Sequence, residues 1–226
     1  VTASAGMAAG AGPSLLDFLN SADGAALRSR FQEKTMPKGA LFRDQDRADR
    51  VFVVVSGRLR AYLTAEGREL SLAYLTEGEI FSTHTRAEIA AVEDTRLLLA
   101  ERRMLESELA HYPPLRAAII RVLARVLSQA MTVIEDLAFH DVRGRIARYL
   151  LRCARRDEKV EVGQIIRVGL SMDELAALLG STRQTASTEF NALIREDVIA
   201  RHGRQHFILR DTAKLRAAAG VAEDVS

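Results

Sequence analysis

From Leu27 to Leu99 the apolar positions come in short runs separated by turn residues. The stretch RVFVVVSGRLRAYLTAEGRELSLAYL is rich in β-branched and aromatic residues, and Ser56-Gly57 and Glu66-Gly67 interrupt it. Lys38-Gly39 in MPKGALF and Glu77-Gly78 in TEGEIF supply two more turn signals. β-branched and aromatic side chains suit a pleated surface, while glycine gives the chain the positive φ that tight turns use. The pattern predicts short antiparallel strands that close into a sandwich or roll.

The periodicity then changes. After Pro113 and Pro114, the residues Ile120, Leu123, Leu127, Ala130, Ile134 and Leu137 recur with spacing 3-4-3-4-3, the seam of a coiled coil. A second stripe, Ile119, Val122, Val126 and Val133, lies on the adjoining face. A helix with two apolar faces needs two partners. The expected arrangement is a homodimer across the seam, with the second stripe on the strand domain; the alternative is a helix buried within one monomer. The helix is expected to break at Phe139-His140, with Asp141 as N-cap of the next one. The layout is then an α+β chain: a flexible lead over 1–14, an antiparallel β-roll effector domain over 15–111, a dimerisation helix over 112–139, and a helical domain over 140–226.

The last domain carries the strongest functional signal, in LSMDELAALLGSTRQTASTEFNALIREDVIARHGRQHFIL. Ser171 and Glu174 have capping-box spacing, Leu175, Leu178 and Leu179 give an apolar face, and Gly180 ends the helix. A second helix follows, with Phe190, Leu193 and Ile194 inward and Arg183, Gln184, Ser187 and Thr188 outward. Arginine can pair with guanine O6/N7 and glutamine with adenine N6/N7, while small hydroxyl residues allow close approach. VIARHGRQHFIL reads as a β-hairpin wing, with Arg201, Arg204 and His206 available to the DNA backbone. This is a winged helix-turn-helix, and its expected partner is double-stranded DNA.

Composition bounds the rest. The 226 residues are 48% hydrophobic and 27% charged, enough for one or two cores of a soluble globular protein. No apolar run approaches the ~18 residues of a membrane span. The N-terminus VTASAGMAAGAGPS has neither a basic region nor a long apolar region, so no signal peptide is expected; Met7 is a rival start to Val1. Cys153 is the single cysteine, which excludes an intramolecular disulfide, a four-thiolate cluster and a C-x-x-C-H attachment, and points to the cytoplasm. Net charge is only +2, but from Val142 to Arg156 six arginines occur with no acid. That run is either a solvated helix face or a surface beside phosphate.

A strand roll, a long helix and a C-terminal winged helix-turn-helix resemble the CRP/FNR family of bacterial regulators. The likeness rests on PKG, VVSGRLRAYL, LAFHDVRGRIARYLL and STRQTAS, and covers nearly the whole chain. Within that family, IFSTHTRAEIAAVEDT and VIEDLAFHD are similar to the CooA group of haem-containing carbon monoxide sensors. The resemblance implies a non-covalent haem b with His84 as proximal ligand. It also implies a distal ligand from the partner subunit, the amine at the start of the chain, here Val1. Ser82 stands where the group commonly has a cysteine that ligates ferric iron, so a redox ligand switch is not implied. Ser82 and the matching helix positions Ile120, Leu123, Ala124 and Leu127 would form the haem pocket. DNA contacts would come from Ser181, Thr182, Arg183, Gln184, Thr185, Ser187, Thr188 and Arg204. The implied activity is transcriptional activation in response to carbon monoxide or nitric oxide, on an inverted repeat, as a homodimer working with RNA polymerase.

Other readings carry less. Members that bind cyclic nucleotides hold the phosphate with an Arg-Ser pair after a longer loop, and here Arg86-Ala87 lacks the hydroxyl. A haem-free regulator that answers a nucleotide or acidic metabolite through Arg86 is the alternative. An esterase built on Ser82 and His84 lacks a third triad member and a glycine elbow, so no enzyme is expected. His111, His140, His202 and His206 are expected at the surface, the helix break and the wing, not on iron.

Overall fold

The computed structural model describes residues 15–42, 49–83, 85–108, 111–155 and 160–221. These form two compact units, 15–67 with 72–130 and 68–71 with 131–221.

The first unit opens on two short helices, α1 (Leu15–Leu19) and α2 (Ala25–Arg28). Leu27 therefore lies in α2 and does not begin the strand region. Helices of five and four residues are too short to show a 3.6-residue period. Seven strands follow: β1 (Gln32–Met36), β2 (Arg50–Ser56), β3 (Leu59–Ala65), β4 (Arg68–Leu75), β5 (Ile80–Ser82), β6 (Glu88–Ala91) and β7 (Thr95–Glu101). They make two antiparallel sheets, ordered β1-β7-β2-β5 and β4-β3-β6. Glu66 and Gly67 have φ of 52° and 71°, the primed turn whose twist matches the strands it joins, β3 and β4.

The four-stranded sheet is covered on both faces. Phe52, Val54, Leu97 and Leu99 pack with Leu59, Ala61, Leu75 and Ile89 of the other sheet. The alternate residues Val51, Val53, Leu98 and Ala100 pack on the opposite side against Leu15, Leu19, Leu27, Leu105 and Val122. Leu105 belongs to α3 (Arg102–Glu108) and Val122 to α4 (Pro113–Phe139). Burial on both faces explains why β2 reads as a continuous apolar run, with no polar alternation. On α4, Val122 is buried, and Ile119 and Val126 pack beside it. The seam residues face outward: Ile120, Leu123, Leu127 and Ile134 are each about 60% exposed.

The second unit contains the end of α4, then α5 (Val142–Ala154), β8 (Ile165–Arg167), α6 (Met172–Leu178), α7 (Arg183–Arg195), β9 (Ile199–Arg201), β10 (His206–Leu209) and α8 (Thr212–Ala218). The helix break falls at His140-Asp141. Asp141 caps α5, its carboxylate accepting from the Gly144 N–H at 2.7 Å. The sheet order is β8-β10-β9, so the wing is a three-stranded sheet and not the hairpin alone. Its core joins Ile146, Leu150, Leu175, Leu179, Phe190, Leu193, Ile199, Phe207 and Leu215. No helix among the described residues is long and apolar enough to cross a membrane.

Candidate nucleic-acid interface and effector segment

Helix α6 starts on a complete capping box: the Glu174 carboxylate accepts from the Ser171 N–H at 2.7 Å, and the Ser171 hydroxyl from the Glu174 N–H at 3.3 Å. It ends at Gly180, whose φ is +59° and whose added Cβ would lie 2.7 Å from Leu137 Cδ2. Both constraints call for glycine. Leu175 and Leu179 enter the core as expected, whereas Leu178 is only half-buried. Thr182 caps α7, accepting from the Thr185 N–H at 3.1 Å, and the two hydroxyls lie 2.9 Å apart. The Thr182 side chain is thus engaged within its own turn. Ser181 closes the preceding turn through its N–H to the Ala176 carbonyl, at 2.9 Å.

Beyond the cap, Ala186, Phe190 and Leu193 point inward while Arg183, Gln184 and Thr188 are exposed. Arg183 and Ser187 from α7 meet Arg201, Arg204 and Gln205 from the wing around one cleft of about 380 Å³. Arg183 pairs with Asp173 at 3.4 Å, with both side chains about two-thirds exposed. An exposed pair of this kind holds its cation weakly, so Arg183 can exchange it for a base edge or phosphate. Gln205 lines this cleft and carried no signal in the sequence, since one glutamine between two basic residues has no pattern of its own.

The arginine run of α5 behaves differently from either expectation. Arg148 Nε donates to Asp136 at 2.6 Å and its Nη2 to Glu135 at 2.7 Å, while Arg152 donates to Asp136 at 3.2 Å. Asp136 is one of few buried charged residues among those described, 7% exposed. Arg145 donates to the carbonyls of His140 and Leu179. Arg143 holds Glu196 with two hydrogen bonds, which keep the Glu196 carboxyl below the usual carboxylate range and raise the Arg143 guanidinium. Four of the six arginines therefore tie helices to one another; Arg156 lies outside the described residues.

In the first unit, β5 leads into the segment expected to hold the effector. His84 lies outside the described residues, as do Val1 and the lead over 1–14. The ends flanking His84 are anchored. Thr83 donates its N–H to the Arg50 carbonyl at 2.9 Å, and its hydroxyl accepts from the Arg50 N–H at 3.0 Å. The Thr85 hydroxyl accepts from the Ala87 N–H at 3.4 Å. Ser82 is half-buried in register with Val51, and Arg86 is exposed. Just before β5, the buried Glu79 carboxylate accepts from Arg125 of α4 at 2.9 Å and from the Thr76 N–H at 2.6 Å. Ile120, Leu123, Ala124 and Leu127 form an exposed row on α4.

Together these features define a class: a DNA-binding regulator with an effector roll, a long helix with an exposed apolar seam, and a winged helix-turn-helix. Residues 33–112 match the cyclic nucleotide-binding domain, and residues 144–218 the Crp-like helix-turn-helix domain. The cyclic AMP receptor protein of Thermus thermophilus is 32% identical over 180 residues, covering 76% of this chain and 81% of that protein. The chain belongs to the CRP/FNR family of transcription regulators, which are DNA-binding proteins and not enzymes. Among solved structures, a CooA mutant from Carboxydothermus hydrogenoformans is similar with TM-score 0.83 and 35% identity, over 92% of this chain and 96% of that one. The reduced Fe(II) CO-sensing protein from R. rubrum is 39% identical over 91% of this chain and 98% of that one, with TM-score 0.52.

Proposed function

We propose that this regulator is haem-dependent and responds to carbon monoxide, activating transcription from an inverted repeat as a homodimer with RNA polymerase. The observation that carries the reading is the likeness, at 35% and 39% identity over more than nine-tenths of the chain, to two carbon monoxide sensors. The residues fit a haem. Between Ser82 and Ala87 the imidazole of His84 is the only side chain that ligates ferrous iron well. The Thr83 and Thr85 hydroxyls are engaged with backbone, and Ala87 offers none to a nucleotide phosphate. Ile120, Leu123 and Leu127 offer apolar surface suited to a hydrophobic macrocycle and a diatomic gas.

The haem, when bound, supplies an iron site with affinity for carbon monoxide or nitric oxide. His84 would hold it through its imidazole, in the neutral form that binds a metal. Thr83 is fixed to Arg50 of β2, and Thr85 bonds within its own turn to Ala87. The row Ile120, Leu123, Ala124 and Leu127 would keep water from the bound group and also form the dimer seam. A bound gas would change DNA affinity only through its different affinity for two arrangements of that seam. In each protomer the start of α7 enters the major groove, so the half-sites lie about one helical turn apart. Arg183 and Gln184 read bases, Ser181, Thr182, Thr185, Ser187 and Thr188 make close contacts, and Arg204 meets phosphate. The work is done in the cytoplasm, where the DNA is.

Purified protein should show a Soret band that shifts on reduction and again under carbon monoxide, and His84→Ala should remove or greatly alter it. Wild-type protein that stays colourless with haem supplied would refute the reading. In that event the second reading applies: a haem-free regulator answering a nucleotide, favoured by the family match over residues 33–112 and the 32% identity to a cyclic AMP receptor protein.

A further inference from the structure

The wing and α7, which reads bases under the proposed function on which this inference rests, are joined by a chain of polar contacts beside the cleft that both line. Arg201, the last residue of β9, donates from Nη2 to the Asn191 side-chain oxygen at 3.5 Å. Asn191, on α7, donates from its amide nitrogen to the Ser187 hydroxyl at 3.4 Å. The Arg201 guanidinium also lies over the Phe207 ring, 5.8 Å from its centroid, within cation–π range. Phe207 is itself locked edge-to-face against Phe190 of α7, at 5.0 Å. Arg201 therefore rests on a buried aromatic pair, and its exposed charge lines the same cleft as Arg183, Ser187 and Arg204.

We propose that Arg201 is a positioning residue for sequence reading: it takes a DNA phosphate with its outer N–H groups while holding Asn191, and through it the Ser187 hydroxyl, in register with the bases. Arginine suits this double task. Its guanidinium has five N–H donors in a fixed plane, so two partners are served without reorientation. Both hydrogen bonds are near the outer limit of length, and a phosphate drawn onto the guanidinium would fix Arg201 and shorten them. The wing thereby sets which rotamer Ser187 presents, and phosphate engagement and base choice become one event.

The test uses the full dimer in whichever state binds DNA most tightly: as purified, reduced under carbon monoxide, or with cyclic AMP. A randomised inverted-repeat library gives base preferences, and a salt titration on the best sequence gives the slope of log K against log[salt]. Arg201→Ala should lower that slope by about 1 per protomer, as expected when one phosphate is no longer neutralised. It should also flatten the preference at the position facing Ser187 by about 2- to 10-fold, the worth of one hydrogen bond. Arg201→Lys should keep the slope and lose the preference, because an ammonium keeps the charge without the planar fork. Asn191→Ala should likewise lose the preference with the slope unchanged. If Arg201→Ala changes the slope alone, and Arg201→Lys and Asn191→Ala leave every base preference intact, Arg201 is an independent phosphate contact and the proposal is wrong.

Discussion

Leu127 lies on the exposed apolar face of α4, 64% exposed, and Leu127→Ala, made in the haem-free protein, tests the energy of the dimer seam. The substitution removes three carbons, each worth about 0.8 kcal/mol on burial, or about 2.4 kcal/mol in all. Only the exposed share can be gained by dimerisation. Scaling by 64% leaves about 1.5 kcal/mol per protomer. Two-fold symmetry puts the residue in the interface twice, so the dimer should lose about 3 kcal/mol, or about 150-fold in Kd. Sedimentation over a dilution series reads this directly. Val126→Ala is the control: Val126 packs on the core of the first unit, so the change should lower Tm and leave the dimer Kd nearly unaltered. A Leu127→Ala protein whose dimer Kd stays within about threefold of wild type, far short of the loss worked from burial, would refute the seam.

Arg183→Ala should cost about 1–3 kcal/mol at one base position and relax specificity there. Equal weakening on every sequence in a competition assay would instead make Arg183 a phosphate contact. The Arg143–Glu196 pair predicts a pH dependence. The Glu196 carboxyl is depressed in the folded protein by the hydrogen bond from Arg143, so its contribution is fully present above the ordinary value of 4.5 and fades as pH falls through the lowered one. Thermal melts of wild type and Glu196→Gln should therefore differ near neutrality and converge in acid. A difference that grows on acidification would reverse the sign and exclude the pair as its source.

The helix-turn-helix was legible because its signals are local: Ser171 and Glu174 are three residues apart, Gly180 stands at the turn, and Phe190 and Leu193 share a face. The turns of the roll were legible for the same reason. Three features were not. The helices α1 and α2 are shorter than the period that would reveal them, and β8, with three residues, is shorter than a readable alternation. The arginines of α5 looked like candidates for solvent or phosphate because their acids are distant, with Arg143 and Glu196 separated by 53 positions. Glu79 gave no sign of burial either, since its cation Arg125 is 46 positions away. At the effector segment the chain itself offers a lone histidine. Its reading as an iron ligand comes from likeness to the carbon monoxide sensors.

The double-sided burial of the four-stranded sheet has a consequence for how such a protein can change its effector over evolutionary time. Phe52 and Leu99 serve one core while Val53 and Leu98 serve the other, so β2 and β7 have no face on which a new side chain can be tried without disturbing packing. Innovation is confined to the rim. The outward row on α4 is free of that burden, and so is Arg86, which is exposed beyond the end of β5. Substitutions at such positions leave the packing of β2 and β7 untouched. Stability and chemical taste then evolve on separate residues, and a random library confined to the rim should yield far more folded, retuned variants than one of equal size placed in β2 and β7.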